Sequence, residues 1–416
     1  MNFMENNQFR TADAVKGFIF ALTLLETPVF FAVYAITGRT YAGSENSPAY
    51  IIYMVALLAV QIFYLFQKRR IRRSALMWLT IPVIFVAVAW LFAVIYREPL
   101  NMSYIRSAVL WQYTGILLAI NISSRNVEKY IVGSLAILMA LITAGSVIIV
   151  LVPFLRGTPL YTAAGYSLVG STFQTQSYFT ALSVGVNLFF FAAAPKFKLA
   201  KVAAFLLLGI QFICAILYAG RGGMILALMY VVAFYIFTSR RRGKAKNKLF
   251  TALVYLAAFA ILFLILGQIV ESSPVLQRRF GRIFSYIGSG GIDLAQTSHR
   301  DIVYSRALSY IAKSPVLGYG LLGYLYLDGL NRYPHNILLE LLIEGGAVYL
   351  LFWGGVVLSC FRKAKRIVSE EKYKIFLVMA IFSIIKLMFS GSYCFEMSFW
   401  FAIVFAFTCS REVASE

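Results

Sequence analysis

Arginines, one histidine–asparagine pair and two glutamates at helical spacing carry most of the chemistry in the second half of this chain. "YAGRGG" sets Arg221 among glycines. "HRDIVYSRALSYIAKSP" holds Arg300 and Arg306, and Tyr304 follows Arg300 by four residues, one turn above it on the same helical face. "RYPHNILLELLIEGG" opens an apolar run with His335 and Asn336, then places Glu340 and Glu344 at successive turns. Guanidinium offers a planar fork that binds phosphate through two hydrogen bonds, which ammonium does not. Imidazole is the usual side chain for taking a proton from a hydroxyl near neutrality. Each residue also has a plainer reading. Arg221 can be a snorkelling arginine at a tight turn, Arg300 and Arg306 a wet polar face, and His335 a passive interfacial group.

The neighbours of these residues sharpen the choice. Glycines beside Arg221 allow something bulky to approach and expose backbone N–H groups. Pro334 can set the chain's approach to the next helix, and Asn336 is the expected cap. Free N–H groups at that helix end attract anions, so phosphate could sit beside His335. Glu340 and Glu344 should not face lipid, since an acid at a span's centre costs roughly 2.5–3.5 kcal/mol on the milder insertion scale. Lys386 is their expected partner, with Glu26 competing for it. Gly318, Gly320 and Gly323 read as an ordinary turn.

The elements that must hold these groups are membrane helices. Of 416 residues, 61% are hydrophobic, 16% aromatic and only 13% charged, with a mean hydropathy of +0.78. A water-soluble fold of that makeup could not cover its apolar surface, so lipid is the solvent. Apolar runs suited to crossing a bilayer fall at 16–36, 49–66, 75–95, 107–122, 131–152, 173–194, 200–219, 222–238, 249–270, 335–360, 373–390 and 394–410. The expected fold is thus an all-α bundle of about 12 transmembrane helices, a single membrane domain over 1–416.

Basic stretches at 67–73, 195–201, 239–248 and 361–366 follow the second, sixth, eighth and tenth spans, always on one side. The positive-inside rule makes that side cytoplasmic, with both termini there. Most of the net charge of +21 is therefore a topology signal and does not point to nucleic acid. The other side carries mainly arginine; Arg278, Arg279 and Arg282, just past a span, suit headgroup anchoring. It also carries a large external loop over 271–334, in which 299–315 reads as an amphipathic helix stopped by Pro315. All four cysteines lie in or beside apolar runs, and with two histidines, His299 and His335, and no Cys/His cluster, no zinc site is expected. The first span exceeds a signal-peptide core and has no cleavage site after it, so it is expected to be retained. Together the residues describe an outward cavity with arginines for a polyanion, one base and a lipid-accessible wall. A substrate with phosphate between a lipid tail and a polar head would suit it.

Three ordered stretches resemble the O-antigen polymerase and ligase superfamily of bacterial membrane glycosyltransferases. They are "AGRGG" with Arg221, "HRDIVYSRALSYIAKSPVLGYG" with Arg300 and Tyr304, and "YPHNILLELLIEGG" with its His-Asn pair. Tyr304 stands where the family commonly has tryptophan. The resemblance implies metal-independent glycosyl transfer, without cofactor, from a polyprenyl-diphosphate-linked oligosaccharide on the outer face of the cytoplasmic (inner) membrane. It implies that Arg221, Arg300 and Arg306 bind the diphosphate and that Arg300 and His335 act in catalysis, with Tyr304, Asn336 and Glu340 in support. A flippase and a chain-length regulator are implied partners. The form of the third stretch resembles polymerases more than ligases, the ligase being the alternative. A flippase or other transporter is the rival of a different class; transporters usually show repeat symmetry and ionisable groups at mid-membrane, whereas no repeat is obvious here and the polar groups gather at one external site.

Overall fold

The structure, a computed structural model, describes residues 2–38, 48–67, 73–157, 172–192, 198–218, 220–238, 264, 267–268, 287–288, 291–292, 300–328, 330 and 333–409. Helices occupy each expected span except 249–270, most of which lies outside the described residues, as do Arg278, Arg279, Arg282 and His299. A two-residue antiparallel ladder, Ile287–Gly288 with Gly291–Ile292, lies within the expected loop.

Fewer helices than expected are long and apolar enough to cross a bilayer. Among the described residues five qualify: Pro48–Phe66, Met77–Tyr96, Met102–Ser123, Glu128–Leu155 and Ile337–Ala364. A sixth arises if Thr11–Leu24 and Glu26–Ile36, bent by 88°, count as one broken span. The sequence pattern reads that stretch as one continuous span. Pro28 explains the break, since it lacks an N–H and its ring clashes with the carbonyl four residues back, at Leu24, where the first helix stops. Val202–Leu217, Gly222–Phe237 and Met397–Cys409 are apolar but shorter. Outward faces are hydrophobic, with Phe63, Phe66, Val83, Ile84 and Trp90 all exposed, as lipid solvation requires.

The chain forms two compact units, one of residues 1–26, 45–135 and 300–416, the other of 27–44 and 136–299. In the first, the helix Met102–Ser123 is central. It starts on the Asn101 side chain, which accepts from the Tyr104 N–H, and packs along Met397–Cys409 and Pro48–Phe66. Gly115 makes that packing possible, because a Cβ there would run into the Met397 carbonyl. Buried amides add specific ties: Gln61 donates to the Thr23 hydroxyl at 3.0 Å, and Asn121 donates to the Gln61 side chain at 3.0 Å. In the second unit Gln211 donates to Thr143 at 2.9 Å and receives from Asn187 at 3.2 Å, linking three helices in the same way.

Candidate functional site

The second unit holds Arg221 at the first position of the helix Arg221–Thr238. The glycines around it have a clear occupant. A Cβ at Gly220 or Gly223 would strike Ser177, and one at Gly222 would strike the Tyr178 ring. Ser177 also donates to the Gly220 carbonyl at 2.9 Å. What comes close at this turn is the neighbouring helix Phe173–Val186, so these glycines serve helix packing.

The other expected site residues all belong to the first unit. The amphipathic helix forms over Arg300–Lys313, with its turn and Pro315 following, and packs on the helix Ile337–Ala364. Ala307 is its buried residue, and Arg300, Val303, Tyr304 and Ile311 are half-buried beside it on one face. Arg300 and Tyr304 thus share a face as expected. Arg306 does not: it is exposed, because a separation of six residues at about 100° each turns it roughly 120° away. Ile302 and Leu308 are exposed too, at 45% and 55%, and by the same six-residue spacing they lie on different sides of the helix.

His335 does not begin the long helix, as the pattern suggested, but stands two residues before it. Its φ is 56°, a left-handed conformation uncommon for residues other than glycine, and its ring meets Tyr333 edge-on at 4.5 Å between centroids. Asn336 is the cap. Its side-chain oxygen accepts from Leu338 N–H at 2.9 Å and Leu339 N–H at 3.3 Å, while its amide donates to the Met388 carbonyl at 3.2 Å. Two of the N–H groups that a phosphate at this helix end would use are therefore engaged by Asn336.

The two glutamates are fully enclosed, and Lys386 is not their partner. Lys386 pairs instead with Glu396 at 2.6 Å. Glu340 accepts a short hydrogen bond from the Ser392 hydroxyl. Glu344 accepts from the Leu322 N–H at 3.0 Å through one oxygen and from the Tyr393 hydroxyl at 2.5 Å through the other. Tyr393 in turn lies 3.1 Å from the Tyr349 hydroxyl, and its carbonyl receives the Trp400 indole N–H at 2.9 Å. Tyr324 is buried in the same cluster. Burial, reinforced by Glu340, Cys394 and Glu344, pushes its phenol well above the ordinary value, so it is a neutral hydroxyl. Glu340, Glu344 and Cys394 each bring a potential metal-ligand atom within 4.8 Å of the others. Yet both Glu344 oxygens and one of Glu340 already accept hydrogen bonds, the arrangement of acids held by donors. Ser392 and Tyr393 had no sequence signal beyond lying in the short break "SGSY" between two apolar runs.

No curated protein matches the chain. A family model described as O-antigen ligase matches residues 202–354, a region that contains Arg221, Arg300, Tyr304, Arg306, His335, Asn336, Glu340 and Glu344. The match thus supports the O-antigen ligase and polymerase superfamily for the stretch that carries these residues.

Proposed function

We propose that the protein polymerises lipid-linked oligosaccharide repeat units by metal-independent glycosyl transfer at the outer face of a bacterial cytoplasmic membrane. The observation that carries this reading is the family region itself, with Arg300 on the packed face of the loop helix and His335 leading into the Asn336-capped helix. In the reaction, an acceptor sugar hydroxyl attacks the anomeric carbon of a polyprenyl-diphosphate-linked chain. The new C–O bond forms as the bond to the diphosphate oxygen breaks, and the electron pair leaves with the diphosphate. His335 takes the acceptor's proton. Arg300 balances the charge developing on the leaving group, a task for a preorganised donor. Arg306, exposed on another side of the helix, suits longer-range attraction of the anionic donor. Arg221 is assigned diphosphate binding on its motif alone, and Tyr304, Asn336 and Glu340 are supporting groups. The external loop over 271–334, both termini in the cytoplasm, and a flippase and chain-length regulator as partners belong to the same proposal.

A second reading, transfer of the finished chain to lipid A-core, is favoured by the description of the matching family as a ligase. A gene deletion complemented with Arg300→Ala or His335→Ala separates the readings on a gel of surface polysaccharide. A polymerase defect leaves core bearing a single repeat unit. A ligase defect leaves bare core with long lipid-linked chains accumulating, and a flippase defect leaves bare core without them. Normal ladders from both variants would refute the site assignment.

A further inference from the structure

The helix Ile337–Ala364 is interrupted. Gly345 and Gly346 leave helical geometry, Gly346 with φ 59° and ψ −157°. Such a break strands carbonyls on one side and N–H groups on the other, and inside an apolar protein each must find a partner. The segment just after the loop helix supplies them. Tyr319 N–H donates to the Ile343 carbonyl at 2.7 Å, and Gly320 N–H to the Glu344 carbonyl at 2.6 Å. In return Ala347 N–H donates to the Pro315 carbonyl at 2.9 Å, and Val348 N–H to the Val316 carbonyl at 3.4 Å. Glycines on both sides permit the approach. Gly318 has φ 62°, and a Cβ there would press on the Ile343 carbonyl oxygen at 2.5 Å; a Cβ at Gly346 would overlap the Val316 carbonyl group.

Glu344 closes this clasp from the side. It holds the N–H of Leu322, a non-glycine residue kept at φ 59°, and the hydroxyl of Tyr393 from the C-terminal turn. The clasp is also tied to the loop helix. Ser314 donates to the Gly318 carbonyl at 3.0 Å, and the Tyr319 hydroxyl donates to the Tyr310 carbonyl at 3.0 Å. Arg300 is at the far end of that helix, 14 residues long, so it lies about 20 Å from the clasp at 1.5 Å per residue. Over such a lever, a tilt of about 3° moves the guanidinium by about 1 Å, a displacement that can cost about a hundredfold in rate.

We infer that the clasp between Pro315–Leu322 and the Gly345–Gly346 break, latched by Glu344, sets the pose of the loop helix, which makes Glu344 a positioning residue for the transfer reaction. The inference rests on the roles proposed above for Arg300 and His335. The test uses the purified full-length protein in lipid nanodiscs with polyprenyl-diphosphate-linked repeat units. Glu344→Gln turns an amide N–H toward the Tyr393 hydroxyl, and Tyr393→Phe removes that hydroxyl while keeping the ring. Both should lower kcat about tenfold or more while KM for the lipid-linked substrate stays within about threefold. Both should also speed amide exchange across 315–322 and leave the rest of the protein unchanged. Should Glu344→Gln fail to fold, Tyr393→Phe decides alone. Faster exchange with wild-type kcat, or slower turnover without faster exchange at 315–322, overturns the inference. Arg300→Ala and His335→Ala are assayed alongside. If they keep full turnover, the functional reading falls and takes the inference with it; if they lose it while the clasp variants do not, only the clasp's role is refuted.

Discussion

Lys386 Nζ lies 2.6 Å from a carboxylate oxygen of Glu396, joining the end of one apolar helix to the residue that precedes the last one. The Ser398 hydroxyl donates to the other Glu396 oxygen, and the Lys386 ammonium also sits 5.4 Å from the centroid of the Phe382 ring. The pair is well shielded, with side-chain exposures of 23% and 8%. It takes the lysine that charge balance alone would have given to Glu340 or Glu344.

Breaking this pair from one side should cost more than removing it whole. Lys386→Met strands an acid in an apolar setting, with an expected loss of about 3–5 kcal/mol. Lys386→Met with Glu396→Gln should recover much of that loss. Thermal unfolding in detergent of the two singles and the double checks this; simple additivity would show that the two groups do not act as a pair.

Asn336 has two separable tasks. Asn336→Ala loses the helix cap, about 1–2 kcal/mol, and the bond to the Met388 carbonyl as well. Asn336→Asp keeps an acceptor for Leu338 and Leu339 and loses only the donation to Met388, about 1 kcal/mol. The expected order of melting temperatures is wild type, then Asp, then Ala. An Asp variant as unstable as Ala would mean that the bond to Met388 dominates.

The glycines of the long helix should respond in opposite ways. Gly346→Ala forces a Cβ into the Val316 carbonyl at a backbone conformation almost reserved for glycine, and should reduce the folded yield sharply. Gly355→Ala meets nothing within 4 Å and sits in regular helix, so it should be neutral or stabilise by up to about 1 kcal/mol. Size-exclusion profiles and melting curves of the two variants make the comparison.

Arg300 and Arg306 should not be equivalent. With Arg300 half-buried on the packed face and Arg306 exposed, Arg300→Ala should reduce transfer by about a hundredfold or more, as loss of a charge-stabilising donor does. Arg306→Ala should act mainly through the salt dependence of donor capture. Turnover measured with purified variants at two salt concentrations tests this, and equal losses would argue for a shared site.

Local signals were legible residue by residue. The loop helix was readable because Ile302, Val303, Leu308 and Ile311 recur among polar positions and Pro315 stops it, although Ile302 and Leu308 prove exposed and Ala307 is the residue it buries. The Asn336 cap was readable because a short polar side chain precedes an apolar run, and it forms with two bonds. Arg300 and Arg306 read as one charged face, and the structure separates them because six residues is an unfavourable interval for sharing a face. The break after Leu24 follows from Pro28 by the same kind of local sterics.

Pairings between distant segments were a different matter. Charge complementarity named Lys386 for Glu340 and Glu344 but carries no distances, and the structure gives the two acids Ser392, Tyr393 and the Leu322 N–H as donors. Gly318 and Gly346, read alone, are turn residues; together they are two halves of one close approach. The glycines at Arg221 likewise show their purpose only against Ser177 and Tyr178.

Composition by itself determined that lipid must solvate this chain, because burial depends on how much apolar surface there is and not on its arrangement. Spacing by itself determined where helices start, stop and change face, because those depend on neighbours within one turn. Only the tertiary structure decided which acid meets which donor and which glycine meets which carbonyl. Hydrogen bonds act over about 3 Å, and nothing local in a chain states which remote segments approach that closely.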